Sequence, residues 1–290
     1  MAPFTPVWFI TAASSGFGKE IALSALKRGH KVIATARNPS KLKDLESAGA
    51  DTLAFDVTAP SADIEAIARF VYTKYGRVDY LVNAAGYILE GAVEETTPEE
   101  VFANFNTNVF GTLNTIRAFL PYLRFQPIGV NNIRCTIVTF GSLGSWEAGA
   151  SFPIYAMTKS CASSLAQSLR IELKPFAIEA TAIGPGYFRT GFLNSSSRAS
   201  SAKRLEAYED ESTPSGLVRK MPKKNDGNQL GDVQKGAKVC ADVLTPTGIE
   251  LPPRLVLGND FVEVIREQCK ANLRLVDEWD AISKSTDHPR

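Results

Sequence analysis

Histidine is nearly absent from this chain, whose 290 residues include two, His30 and His288. That scarcity argues against a serine–histidine–aspartate hydrolase and against metal sites built from several imidazoles. The four cysteines lie far apart and form no CxxC pair, which favours free thiols in a cytoplasmic enzyme over disulfides or a zinc site. We therefore expect no metal, and proton chemistry has to come from tyrosine, lysine, aspartate or glutamate.

The sequence also lacks an excess of either charge and any long apolar run. Its formal net charge of +1 argues against the clustered positive charge that binds nucleic acid or an anionic membrane. No apolar run approaches the ~18 residues that a membrane-spanning helix needs. Residues 7–13 form a short apolar run without the basic flank of a signal peptide, so we interpret them as a first strand.

Short β-branched runs alternate with helical patterns along the first half of the chain, which is typical of a parallel sheet flanked by helices. The predicted fold is a doubly wound α/β sheet of the Rossmann type, three-layered, in a single domain over residues 1–290. The segment 191–232 is rich in serine, charge and glycine, and we interpret it as a substrate loop or lid within that domain. Strands are predicted at 7–11, 31–35, 52–55, 80–83, 134–140, 179–183 and 255–257, and helices at 16–28, 40–47, 61–75, 154–173 and 260–273, with a long helical region that runs with interruptions from 98 to about 125.

Two short motifs carry the functional prediction. Residues 11–18 read Thr-Ala-Ala-Ser-Ser-Gly-Phe-Gly between a predicted strand and a predicted helix, where glycines let the backbone approach a pyrophosphate. Tyr155 and Lys159 are four residues apart on a predicted helix, so they lie on one face. An ammonium stabilises a phenolate and lowers a tyrosine pKa that is otherwise near ~10. Together, in this order, the motifs predict a nicotinamide-dependent oxidoreductase.

These and other motifs resemble the short-chain dehydrogenase/reductase family, in its compact single-domain branch. Residues 11–18 are similar to its TGxxxGxG turn, residues 83–86 to its NAG motif, and residues 185–190 to its PGxxxT motif. The resemblance is close over residues 7–190 and weaker over 250–273. It implies a Rossmann-type fold that binds a nicotinamide dinucleotide.

The resemblance also implies the roles of individual residues. Tyr155 would be the general acid or base, Ser142 would donate a hydrogen bond to the substrate oxygen, and Lys159 would hold the nicotinamide ribose. Asn108 would anchor a water that links Lys159 to solvent, and Thr190 would bind the carboxamide. Implied cofactor contacts are Thr11, Ser14, Ser15, Gly16, Phe17, Gly18, Arg37, Asp56, Val57, Asn83, Gly86, Tyr155, Lys159, Pro185, Gly186, Phe188 and Thr190.

Two positions depart from the family pattern. Ala12 stands where the turn usually has its first glycine, and Gly141 stands where a serine often precedes the catalytic one. If φ at residue 12 is negative, alanine costs little there; if φ is positive, alanine strains the turn by about 1 kcal/mol or more.

The end of the second predicted strand indicates which dinucleotide is bound. Sites that prefer NAD usually place an acid there to hold the ribose 2′-hydroxyl. This chain reads Thr35-Ala36-Arg37-Asn38, without a carboxylate, and an arginine can bind a 2′-phosphate with two hydrogen bonds. The predicted cofactor is therefore NADP(H).

Aromatic and aliphatic residues near Ser142 and after Pro185 predict an apolar substrate pocket. An apolar ketone or secondary alcohol, such as a polyketide, terpenoid, steroid-like or aromatic compound, fits better than a sugar or a phosphate ester. Two alternatives stay open, a non-redox epimerisation or dehydration and an NADPH-binding regulatory protein, the second motivated by Ala12 and Gly141. Small residues along 154–173 predict a homodimer through that helix. The pocket residues are Leu143, Trp146, Phe152, Tyr187, Phe188 and Phe192.

Overall fold

The computed structural model describes residues 4–190, 197–225, 229–245 and 250–288. The strands are β1 (Val7–Ile10), β2 (Lys31–Ala36), β3 (Asp51–Ala54), β4 (Tyr80–Asn83), β5 (Ile88–Glu90), β6 (Cys135–Phe140), β7 (Ile178–Pro185), β8 (Arg198–Ser200) and β9 (Arg254–Leu257). The helices are α1 (Gly16–Leu26), α2 (Lys43–Ser47), α3 (Ser61–Tyr75), α4 (Pro98–Phe105), α5 (Gly111–Leu123), α6 (Pro153–Glu172), α7 (Pro214–Asn225), α8 (Val233–Leu244) and α9 (Asn259–Lys284). A π-helical segment, Asn106–Phe110, joins α4 to α5.

The central sheet has seven parallel strands in the order β3-β2-β1-β4-β6-β7-β9. The chain winds outward from β1 to β2 and β3, then crosses over and winds the other way from β4 to β9. Ligands of such sheets bind beyond the carboxyl ends of the strands, at the point where the winding reverses. The prediction of a doubly wound parallel sheet in one domain is confirmed.

Each face of the sheet is covered by a hydrophobic layer, because adjacent residues of a strand point to opposite faces. On β1, Trp8 and Ile10 pack into the layer that contains α1 and Ala237 of α8. Phe9 points the other way and packs with α3 and with Phe119 of α5. The ring centroids of Phe9 and Phe119 are 4.7 Å apart. Both layers are closed to solvent, so the sheet provides a rigid base for its carboxyl edge.

Two helices differ from the sequence prediction. Helix α8 was not predicted, although its buried residues recur at helical spacing, at positions 236, 237, 240, 241 and 244. The side chain of Asp232 caps the start of this helix by accepting hydrogen bonds from the backbone N–H groups of Gln234 and Lys235, at 2.9 and 3.1 Å. Helix α9 continues to Lys284 rather than ending near residue 273. No helix in the described ranges is both long and apolar enough to cross a membrane.

The segment 191–232 includes residues 191–196 and 226–228, which lie outside the described ranges. Its other residues form β8 and α7, and β8 pairs in parallel with β5 in a separate two-stranded sheet. The strand pairing was not predicted from the sequence. Strand β5 immediately follows the residues that resemble the NAG motif, so this small sheet lies next to the carboxyl edge of the main sheet.

Candidate active site

Thr11 fixes the turn between β1 and α1 to the neighbouring strand β4. Its backbone N–H donates to the carbonyl of Val82 at 2.9 Å. Its hydroxyl accepts hydrogen bonds from the backbone N–H groups of Ala84 and Ala85, at 2.9 and 3.1 Å. The turn and the residues that follow β4 are therefore held together as one unit.

The glycines of this turn are required by its shape. Gly16 has φ of +55°, a left-handed conformation that favours glycine. A Cβ on Gly18 would lie 2.8 Å from the carbonyl oxygen of Ala12, which is too close. Ser15 precedes α1 in an extended conformation, and its side chain does not cap the helix. The uncapped start of α1 fits a phosphate group.

Ala12 has φ of +51°. Because this φ is positive, alanine strains the turn, as predicted from the sequence for that case. The cause is the attachment of both neighbours to strands. Thr11 is bonded to β4, and the N–H of Ala13 donates to the carbonyl of Thr35 on β2 at 2.8 Å. The backbone between them has to turn sharply, whichever residue stands there.

We expect Ala12→Gly to raise the free energy of unfolding by about 0.5–1 kcal/mol, measured by urea denaturation. Relief of the left-handed alanine contributes about 1–2 kcal/mol, and the greater freedom of glycine in the unfolded chain removes about half of that gain. Ala13→Gly is the matched control: Ala13 is fully buried and lacks the positive φ, so its replacement should destabilise the fold. Destabilisation by Ala12→Gly would contradict the strain.

Tyr155 and Lys159 lie on the same face of α6, with Nζ of Lys159 5.6 Å from the centroid of the Tyr155 ring. Nζ also donates to the carbonyl of Phe140, at the end of β6, at 3.0 Å. Burial lowers the pKa of Lys159 to about 8. Burial raises the pKa of Tyr155, against the lowering effect of its hydrogen bond with Ser142. Desolvation rather than the ammonium thus dominates the phenol, which differs from the sequence expectation.

Ser142 follows β6 and is held by two serines that the sequence analysis did not single out. Its N–H donates to Oγ of Ser145 at 3.1 Å, and the hydroxyl of Ser163 on α6 bonds the same oxygen at 3.2 Å. A Cβ on Gly141 would lie 2.7 Å from Oγ of Ser163 and would displace it. Glycine at 141 therefore makes room for the support of Ser142. A serine three residues after a strand-end serine was the available signal, as in a capping box.

Asn108 lies in the π-helical segment and is almost fully buried. Its Oδ1 accepts from the N–H of Tyr87, and its Nδ2 donates to the carbonyl of Tyr87 and to Oγ1 of Thr158, all at 3.0 Å. Thr158 precedes Lys159 on α6, so one amide side chain joins three parts of the fold. Single π-helical turns inside α-helices are frequent at functional sites.

Gly86 marks the point where these groups converge. A Cβ at this position would lie 3.2 Å from Oδ1 of Asn108 and 3.4 Å from Nζ of Lys159. The structure thus brings together Asn108, Lys159 and the residues after β4, and Tyr155 and Ser142 adjoin them through α6 and β6.

The residues after β7 reach the glycine turn from the other side. A Cβ on Gly16 would be in ordinary contact with Thr190, at 3.8 Å. Asp260, at the start of α9, accepts a hydrogen bond from the N–H of Tyr187 at 2.6 Å and closes the space around Gly186. Asp260 is not among the site residues predicted from the sequence. Its position one residue into the last helix was the available signal.

Several predicted cofactor residues have side chains that already have structural partners. The rings of Phe17 and Phe188 pack edge to face, 5.0 Å apart, against Gly236 of α8. Oδ1 of Asp56 accepts from the N–H of Thr58 at 2.9 Å, which is an ordinary turn contact. The two phenylalanines therefore offer backbone rather than side chain to a ligand.

The remaining predicted contacts follow the carboxyl ends of the strands. Arg37 is exposed directly after β2, and Val57 is buried near the end of β3. Asn83 ends β4 and donates to the carbonyl of Val138 at 3.1 Å, while its buried Oδ1 has no hydrogen-bond partner among the described residues. A buried polar atom without a partner at this edge, beside the glycine turn, fits a polar ligand.

The residues predicted to line an apolar pocket do not form one cluster. Phe188 belongs to the core and Phe192 lies outside the described ranges. The guanidinium of Arg254 covers the ring of Trp146 at 4.8 Å, and that of Arg198 lies 5.8 Å from the ring of Phe152.

Known proteins resemble this chain over nearly its whole length. Residues 6–201 match the family model described as short chain dehydrogenase. The oxidoreductase BOA17 of Botryotinia fuckeliana is 30% identical over 283 residues, covering 96% of this chain and 98% of its own. The 3-ketodihydrosphingosine reductase of Bacteroides thetaiotaomicron is 33% identical over 263 residues, covering 90% of this chain and 91% of its own.

Among solved structures, a short-chain dehydrogenase from Streptomyces avermitilis superimposes with a TM-score of 0.86 at 33% identity, covering 99% of this chain and 100% of its own. The parallel sheet, the glycine turn after β1 and the convergence of Tyr155, Lys159 and Asn108 agree with that likeness. The chain belongs to the short-chain dehydrogenase/reductase family and is an oxidoreductase of that family.

Proposed function

We propose that this protein transfers a hydride between NADP(H) and an apolar ketone or secondary alcohol, with Tyr155 as the general acid or base. The observation that carries the proposal is the meeting of Tyr155 and Ser142, both half-buried, with the buried Lys159 near Gly86. A relative named as a ketone reductase, at 33% identity over most of both chains, supports the reaction class.

The chain's own residues account for the proton side of the reaction. When bound, the nicotinamide supplies the hydride or accepts it. Ser142, supported by Ser145, donates a hydrogen bond to the substrate oxygen, and Tyr155 gives its proton to the developing alkoxide. A phenol is protonated at neutral pH, so Tyr155 has a proton to give in the direction of reduction. The Lys159 ammonium stabilises the phenolate that remains.

Asn108 acts in this scheme by holding its surroundings. Its amide fixes the backbone of Tyr87 beside Gly86 and, through Thr158, the turn of α6 that carries Lys159. Oδ1 of Asn108 and Nζ of Lys159 both face Gly86. A water seated between these two groups would complete the path along which the Tyr155 proton is replaced.

The proposed function is tested by incubating the protein with NADPH and a panel of ketones, following absorbance loss and product mass. Hydride transfer predicts consumption of NADPH and an alcohol product two mass units heavier. An epimerase or dehydratase would change the substrate without consuming NADPH. A regulatory protein would bind NADPH, as measured by fluorescence titration, and form no product with any ketone.

We expect the affinity for NADPH to fall as pH rises through about 8, the pKa of Lys159. Below that pH the buried side chain is an ammonium that can hold a ribose hydroxyl, and above it the amine is neutral. Binding that requires the charged form weakens about tenfold one pH unit above the pKa. Titrations from pH 6.5 to 9.5 measure this, with Lys159→Met as the control whose weak binding does not depend on pH. A flat profile for the unaltered protein would exclude the role.

The proposed homodimer uses the outer face of α6. Met157, Ser160, Ser164 and Ile171 are exposed there, and small side chains allow close approach of a second helix. Light scattering at micromolar concentration should give about twice the chain mass, since a stable interface buries over ~1,000 Å². Ser164→Arg should shift the mass toward the monomer. A monomer mass for the unaltered chain, with and without NADPH, would contradict this interface.

A further inference from the structure

Three arginines of residues 197–219, here called the wall segment, meet two buried glutamates next to β5. Glu90, at the end of β5, is 3% exposed and pairs with Arg198 and with Arg204, the latter at 3.3 Å. Glu95 is fully buried and pairs with Arg219. Nε of Arg219 also lies 3.6 Å from Glu90, so this one guanidinium, 8% exposed, joins both carboxylates.

Glu95 has hydrogen-bond partners that favour its ionised form. Burial favours the neutral form of Glu95, but hydrogen bonds from the N–H groups of Leu205 and Ala92 and from Arg219 outweigh it and lower its pKa. Those backbone bonds are 3.0 and 2.8 Å long. Removing one member of such a group leaves an uncompensated buried charge, which is far more disruptive than losing an exposed ion pair.

The wall segment is joined to the anchor of Asn108. Strand β8 pairs with β5 in the register Ile88 with Arg198. Tyr87, the residue before β5, is the one whose N–H and carbonyl are both held by Asn108. The ion cluster therefore fixes a strand that begins one residue from this contact.

A second connection reaches the start of α6 and the cap of α4. The N–H of Gly91, directly after β5, donates to the carbonyl of Ser151 at 2.8 Å, four residues before Tyr155. The N–H of Ala202 in the wall segment donates to Glu100 at 2.8 Å. Glu100 closes the capping box of α4, the helix that leads to Asn108. The wall segment is thus bonded to α4, and β5, with which its strand β8 pairs, is bonded through Gly91 to a residue just before α6.

We propose that Arg219 is a positioning residue for the substrate: with Glu90 and Glu95 it holds the wall segment against β5 as a fixed side of the substrate pocket, formed before any substrate binds. The proposal rests on the proposed function, because it names a substrate pocket beside Tyr155. It favours a fixed wall over a lid for this part of residues 191–232, which the sequence indicated as a substrate loop or lid. A fixed wall selects substrates by shape and leaves the cofactor turn, on the far side of β4, unaffected.

Steady-state kinetics of Arg219→Met test the proposal with the ketone that the unaltered protein reduces best. We expect KM for the ketone to rise about tenfold or more, because both carboxylates lose their shared partner and the wall separates from β5. The value of kcat should change less than about threefold and the NADPH dissociation constant less than about twofold, since the wall binds ground state and transition state alike.

Two further variants serve as controls for Arg219→Met. Arg204→Met removes the same charge from the same segment, but Arg204 is 33% exposed and, within the described part of the chain, forms an ion pair with Glu90 alone, so KM should change less than about twofold. Arg219→Lys restores the charge without the planar fork and should recover part of the loss. Equal KM values for Arg219→Met and the unaltered protein, or equal effects of Arg219→Met and Arg204→Met, would overturn the proposal.

Hydrogen exchange of the unaltered, cofactor-free protein tests the wall even if no ketone is reduced or the variant does not fold. The N–H groups of Ser201, Ala202 and Leu205 are bonded to Glu90, Glu100 and Glu95 and should exchange at least about a hundredfold more slowly than those of an unstructured peptide. Addition of NADPH should not change these rates. Exchange at the unprotected rate would show a mobile lid and overturn the proposal, whatever the enzyme assay finds.

Discussion

Tyr155→Phe is expected to reduce kcat for ketone reduction about a thousandfold while NADPH affinity stays within about twofold. General acid catalysis by a positioned side chain contributes about 10²–10⁴-fold, and Tyr155 is the phenol bonded to Ser142 beside Lys159. The lost hydroxyl acts on charge that develops in the transition state, so kcat falls and binding does not. Single-turnover reduction and fluorescence titration measure the two quantities separately.

Tyr187→Phe is the matched control for this experiment. Tyr187 lies near enough to Tyr155 to raise its pKa, but its ring is 60% exposed and its N–H, rather than its hydroxyl, is bonded to Asp260. Its replacement should leave most of the turnover intact. If Tyr155→Phe keeps most of its activity and Tyr187→Phe loses it, the exposed phenol is the acid and the proposed role of Tyr155 is wrong. Retention by both variants would point to an acid outside this pair.

The strands of the central sheet could be predicted because they are buried on both faces. Residues 7–10 and 135–140 have no exposed position, so they appear in the sequence as continuous apolar or β-branched runs. The glycine turn was equally visible, because Gly16 and Gly18 are demanded by local backbone geometry. Both features depend on residues that are close together in the sequence, so they can be predicted from it.

The features that were missed depend on residues far apart in the chain. Glu95 and Arg219 are 124 residues apart, and each alone resembles an ordinary surface charge in the sequence. The pairing of β5 with β8 involves three residues from each strand, too few to give an alternating pattern. The support of Ser142 by Ser163 likewise joins a strand end to a helix that no spacing rule connects. Such contacts follow from the fold and cannot be derived before it is known.

The sequence predicted that Lys159 lies beside Tyr155, but it predicted the wrong direction for the pKa shift of Tyr155. Spacing placed Lys159 beside Tyr155, and the structure agrees, with the ammonium 5.6 Å from the ring. The expectation that the ammonium lowers the phenol pKa did not include the burial of both groups, which raises the pKa of Tyr155 and lowers that of Lys159 to about 8. Desolvation depends on everything packed around a group, so residue spacing cannot supply it.

Replacing Ala36 with aspartate and Arg37 with isoleucine together is expected to reverse the cofactor preference. The unaltered protein should bind NADPH at least tenfold more tightly than NADH, which requires a difference of about 1.4 kcal/mol. Ala36 ends β2 opposite Ala54 of β3, so residue 36 stands where NAD sites carry their acid. Arg37 is exposed beside it and free to meet a 2′-phosphate, whereas the side chain of Asn38 accepts from the N–H of Ser40 at 3.0 Å.

Arg37→Ile alone separates the two contributions in that double variant. It should lose most of the NADPH affinity without gaining affinity for NADH, because the phosphate partner is gone and no carboxylate holds the 2′-hydroxyl. The added aspartate then supplies the hydrogen-bond acceptor for NADH and repels a 2′-phosphate, so preference is built from an attraction and a repulsion together. Isothermal titration with both cofactors at one ionic strength measures each step, since phosphate contacts weaken with salt. Equal affinity of the unaltered protein for NADPH and NADH, or an Arg37→Ile variant that still prefers NADPH, would refute the assignment of Arg37 to the 2′-phosphate.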